Sequence, residues 1–170
     1  VNYVANEELS KERKKQGWEL PELGKVKLLL ASDKDTVITY ALEAPEDTIH
    51  LCQGLRGNGL VGVAQNIIRK RGLEHWVMME TVSDKGWFGF IKRLIYNALF
   101  IYWRNSLSGV LAIGNNASKW FVNRGMNKER VYSFAYFLKK PKFDYFSKIP
   151  SDENKNRPFR FIYVGQLIKR

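Results

Sequence analysis

Short β-rich runs alternate with longer amphipathic runs along most of this chain, and that alternation is the feature that most narrows its fold. A two-residue apolar period followed by a 3.6-residue period, repeated, is the signature of βαβ units built around a parallel sheet. Strands are expected at 1–5, 26–30, 48–52, 76–79, 110–113 and 130–134, the second of them fully buried because three leucines in a row leave no polar face. Helices are expected at 8–16, from the cap Ser32-Asp33 to 43, and at 60–70, 87–103 and 117–124. Gly17, Gly72 and Gly125 stand where three of these helices should stop, and Ala44-Pro45 ends another. The expected fold class is therefore α/β, a Rossmann-like doubly wound, mainly parallel sheet with helices on both faces, over residues 1–137. From 138 to 158 the composition turns to Lys, Pro, Asp, Asn and Ser without an apolar period, as in an interdomain linker. Residues 159–170 then read as the first strand of a second domain. Since the chain opens inside a strand and closes just after one, both ends are expected to continue in a longer protein.

Composition removes several classes of function. At 170 residues and 45% hydrophobic residues the chain can bury a domain-sized core. One cysteine, Cys52, allows no internal disulfide, and two histidines with it fall short of a Cys/His zinc site. No metal is expected. The longest greasy stretch, 94–103, is about half the ~20 residues of a membrane-spanning helix, and the first residues carry no export signal. The expected location is cytoplasmic. A formal charge of +11 favours polyanionic partners such as anionic lipid or phosphorylated substrates. Without a nucleic-acid-binding motif, a polyanion-binding module rests on that charge alone, and no nucleic acid is expected as partner.

Gly57-Asn58-Gly59-Leu60-Val61-Gly62 is a full G-x-G-x-x-G between a strand and a helix, with Glu80 following at the end of the next strand. In a dinucleotide-binding fold such glycines admit the pyrophosphate and the acid binds ribose, which is the pattern of an NAD(P)-binding oxidoreductase. Gln53-Gly54-Leu55-Arg56 intervenes, however, where that fold wants a direct turn. The alternative is a glycine-rich loop at the carboxyl end of a strand, the edge where ligands of such sheets bind. Two further loops should reach that edge, one running from Glu80 through Ser83, Asp84 and Lys85, the other Gly114-Asn115-Asn116. The candidate site is thus Gly54, Arg56, Gly57, Glu80, Lys85, Gly114 and Asn115. The helix at 87–103 is aromatic-rich with a narrow polar stripe of Lys92, Arg93, Tyr96, Asn97 and Arg104, suited to burial against a sheet or to a bilayer surface.

The later segments carry a resemblance. Phe159-Arg160-Phe161-Ile162-Tyr163-Val164-Gly165-Gln166-Leu167 resembles the opening of the second domain of family 4 retaining glycosyltransferases, the glycosyl transferases group 1, of the two-domain GT-B fold. Upstream, the runs 108–114, 117–126 and 128–132 are similar to that family's lead-in to its interdomain crossover. The resemblance implies the acceptor-side domain of an enzyme that transfers a sugar from a nucleotide-sugar donor to a glycan or lipid-linked acceptor in bacterial surface polysaccharide synthesis. It implies no bound cofactor, and little activity for this part alone. Gly165 and Gln166 would face the donor, with Gln166 where the family has Arg. Glu80 stands about where many relatives place a functional His, and is the candidate catalytic residue. Gly54, Arg56, Gly57, Lys85, Gly114 and Asn115 would meet the acceptor.

Overall fold

A computed structural model describes residues 1–136, apart from 21, 84 and 85. The expected linker at 138–158, the strand at 159–170 with Gly165 and Gln166, and Lys85 lie outside the described residues. Val1–Tyr136 form one compact unit of α/β type, with parallel strands flanked by helices as in Rossmann-like folds.

Among the described residues six strands fall into two parallel sheets. Strand β1 (Asn2–Ala5) pairs with β2 (Lys27–Leu30), and β3 (His50–Gln53), β4 (His75–Glu80), β5 (Gly109–Ile113) and β6 (Val131–Phe134) follow one another in sequence order across a second sheet. The helices are α1 (Lys11–Lys15), α2 (Lys34–Glu43), α3 (Leu60–Arg71), α4 (Gly86–Trp103) and α5 (Ala117–Val122). Each boundary has a local cause. Asp33 caps α2 by accepting from the Thr36 amide at 2.8 Å, and Ala44, extended at ψ 130° ahead of Pro45, ends it. Gly72, at φ +68°, closes α3 with its amide on the Arg69 carbonyl.

Four neighbouring parallel strands in sequence order have right-handed crossovers that all return on the same side. Their helices accordingly share one face of the sheet. Alternate residues Val77, Met79, Val110 and Ala112 point into a core with Tyr96, Phe100 and Trp103 of α4 and Ala117 and Phe121 of α5. Phe100 and Phe121 are completely buried, and their rings meet edge-on at 5.3 Å. Each contributes roughly 1.5–3 kcal/mol by leaving water. On the other face Trp76 lies over Gly109, beside the half-exposed Tyr132.

Two further differences concern burial. Strand β2 is not buried: Leu30 is half-exposed, because β2 has only β1 as a neighbour among the described residues. In α4, Tyr96 belongs to the core, against Phe100 and Trp120, and not to a polar stripe. No helix among the described residues is long and apolar enough to cross a membrane.

Candidate functional site

The parallel register brings the carboxyl ends of β3, β4 and β5 side by side. Gln53 pairs with Met78, and Glu80 with Ile113, so the chain leaves the sheet at Gly54, Thr81 and Gly114 along one edge. That edge collects Gly54, Arg56, Gly57, Glu80, Gly114 and Asn115, residues drawn from positions 54 to 115 of the sequence.

The glycine loop is built by its own backbone. Gly54, Gly57 and Gly59 have φ of +69°, +65° and +55°, a region that a Cβ disfavours. Gly59 is the N-cap of α3 and offers no side chain to its first turn. Five residues, Gly54 to Asn58, separate the end of β3 from that cap, so the loop does not make the direct strand-to-helix turn of a dinucleotide site. A Cβ at Gly62 would come 3.0 Å from the Asn58 side-chain oxygen. The third glycine of the motif therefore makes room for Asn58.

Asn58 fixes the loop from within. Its amide nitrogen donates to the Gln53 and Gly54 carbonyls at 3.2 and 3.1 Å and to Gln65 Oε1 at 2.9 Å. Gln65, fully buried in α3, donates from Nε2 to the Gly54 carbonyl at 2.9 Å and lies 3.4 Å from His75 Nε2. Because an amide nitrogen only donates, His75 Nε2 accepts, which places the ring proton on Nδ1. Burial, reinforced by nearby His50, pushes the His75 pKa down to about 4, so the ring is neutral. His75, the first residue of β4 and fully buried, is a structural residue.

Glu80 ends β4 with its carboxylate in solvent and accepts a hydrogen bond from the Tyr136 hydroxyl at 3.0 Å. That bond and the carboxylate's charge raise the Tyr136 pKa above its ordinary value. Sequence reasoning missed Tyr136. The signal was the strand period: Glu80, Ile113 and Phe134 share a register row, and Tyr136 lies two residues beyond Phe134. It missed Asn58 and Gln65 as well, since Asn58 lies in the loop ahead of α3 and only the fold of that loop brings it to the Gln65 side chain.

The other singled-out groups have packing roles. Arg71 donates from Nη1 to the carbonyls of Ala41 and Ala44 at 2.9 and 2.8 Å, tying the end of α2 to α3. Arg69 stacks 4.2 Å from the Tyr102 ring centre. Burial pushes the Cys52 thiol up to about 11, leaving it an unreactive thiol. Asn116 is the N-cap of α5 but makes no side-chain capping bond. Among the described residues no group of three or more His, Cys, Asp or Glu is placed to hold a metal ion. Among the described residues the edge offers the accessible Glu80 carboxylate, a phenol bonded to it, a guanidinium at Arg56 and an open glycine floor. Such groups hydrogen-bond hydroxyls and phosphates. The chain matches no protein-family model, no curated protein and no solved structure.

Proposed function

We propose that residues 1–137 are the acceptor-side domain of a retaining glycosyltransferase of GT-B type, working with a nucleotide-sugar donor and a glycan or lipid-linked acceptor. The observation that carries this reading is the shared edge, where Glu80 stands between the glycine loop and Gly114-Asn115 at the carboxyl ends of three parallel strands. In this reading Glu80 bonds an acceptor hydroxyl, with Arg56 and Lys85 near acceptor phosphate or hydroxyls. Gly54, Gly57 and Gly114 keep the floor open. Gly165 and Gln166 would contact the donor, and the enzyme needs no bound cofactor or metal beyond its substrates. It would act in bacterial surface polysaccharide synthesis, in the cytoplasm and peripheral at the inner membrane face.

The test is sugar transfer by the protein carrying both domains. Glu80→Gln is expected to cut turnover or acceptor affinity while leaving the unfolding midpoint unchanged, since the replaced carboxylate is exposed. Wild-type turnover and wild-type acceptor affinity in that variant would refute the role of Glu80. The competing oxidoreductase reading is tested by titrating the chain with NADH or NADPH. Micromolar binding lost on Gly59→Ala would favour it.

A further inference from the structure

Helices α2 and α3 pack against each other, and each buries only a narrow stripe, Val37 and Ala41 of α2 and Gln65 and Ile68 of α3. Beside those stripes Ile38 and Leu42, one turn apart on α2, and Val63 and Ile67, one turn apart on α3, line a groove of about 610 Å³. Ile38, Val63 and Ile67 are half-buried and Leu42 is 55% exposed, so the groove lies open to solvent. A small-molecule site covers most of its ligand's surface, which an open trough between two helices does not do. An amphipathic helix fills a trough of this shape, laying its own apolar row between the two.

The polar lining selects the charge of that helix. It consists of Lys34, Asn66, Lys70 and Arg71, with no carboxylate. Helix α3 contains no acid, and the acids of α2, Asp35 and Glu43, do not line the groove. Arg71 is committed elsewhere, since its bonds to the Ala41 and Ala44 carbonyls hold the last turn of α3 beside the last turn of α2. Two exposed ammonium groups are left at opposite ends, Lys34 where α2 starts and Lys70 where α3 stops. Between Lys34 and Leu42 the helix rises about 12 Å. A single-headed amphiphile reaches one of these cations and leaves the other bare, whereas two carboxylates two turns apart on a helix, about 11 Å, reach both. Helix α2 of a second copy does not present such a pair with its apolar row, because Glu43 projects about 120° away from the row of Ile38 and Leu42.

We propose that the α2–α3 groove docks an acidic amphipathic helix of another protein, with the helix's apolar row on Ile38, Leu42, Val63 and Ile67 and its two carboxylates on Lys34 and Lys70. The proposal is independent of sugar transfer, and binding is read on the chain alone. The probe is an alanine-based peptide of about 18 residues, long enough to be helical, with leucines at i, i+4 and i+7 and two flanking glutamates two turns apart. A twin peptide carries lysines in place of the glutamates. In methyl NMR of the labelled chain, the glutamate peptide is expected to shift the signals of Ile38, Leu42, Val63 and Ile67, and the lysine peptide to leave them in place. The double variant Lys34→Glu, Lys70→Glu, checked for folding by circular dichroism, is expected to bind the glutamate peptide about tenfold or more weakly and to gain binding of the lysine peptide. Absence of shifts in the wild-type chain would overturn the proposal. So would glutamate-peptide binding that the double variant leaves intact, since the net charge of +11 alone would then explain it. Sodium decanoate moving the same methyls where the peptide does not would overturn it in favour of a single-headed amphiphile. A dimer in sedimentation equilibrium that Leu42→Glu dissociates would overturn it in favour of a second copy.

Discussion

Acidification should destabilise this domain through His75. In the folded chain its ring is fully buried, edge-on to Trp103 at 5.7 Å, and Nε2 accepts from Gln65, so the pKa is driven down to about 4 from 6.5. The unfolded chain binds a proton near 6.5 that the native ring refuses, so between these values stability falls as pH falls. Lowering pH from about 7.5 to 5 would then cost roughly 2 kcal/mol, and the whole window about 3 kcal/mol, at 1.36 kcal/mol for each pKa unit. With a urea slope near 2 kcal/mol/M, the first figure moves the midpoint down by about 1 M. Asp33, held below its ordinary 3.8 by hydrogen bonds from Thr36, loses its share only below that value and does not enter this window.

Urea unfolding followed by far-UV circular dichroism at pH 7.5, 6 and 5 measures the slope, and His75→Gln is the control. That variant should be less stable at pH 7.5, having lost the ring packing, yet should show much less pH dependence between 7.5 and 5. If the wild-type midpoint does not move over that range, or moves equally in His75→Gln, the neutral buried ring is not the cause and the assignment of its tautomer falls with it.

Two glycines give sharper steric tests. Gly59→Ala places a Cβ at φ +55°, ψ −122°, and should cost about 1–3 kcal/mol in thermal or urea unfolding without altering the strands. Gly109→Ala drives a Cβ into the Trp76 ring, and should cost about 1–3 kcal/mol while changing Trp76 fluorescence, since the ring must leave its place beside Tyr132.

The legible part of this fold was local. Asp33 ahead of Thr36, Gly72 after Arg71 and Pro45 after Ala44 set helix ends through contacts within five residues, so residue type and order suffice to find them. Strand order was legible only as alternation. The right-handed crossover makes β3 to β6 return their helices to one face, and nothing in the period of a single strand says on which face its neighbours' helices lie. The edge at Gly54, Glu80 and Gly114 could be placed because the carboxyl end of a parallel strand is a property of chain direction, which sequence does contain. Tyr136 could not, since its bond to Glu80 crosses 56 positions and depends on β5 lying between β4 and β6. The outward face of α4 is a different case. A helix apolar on nearly every side reads in sequence as one enclosed by protein, and the number of neighbours that enclose it is set by topology. With one sheet face beneath it and α5 beside it, the stripe through Tyr96 and Phe100 is enclosed, while Trp87, Ile91 and Leu94 face outward among the described residues.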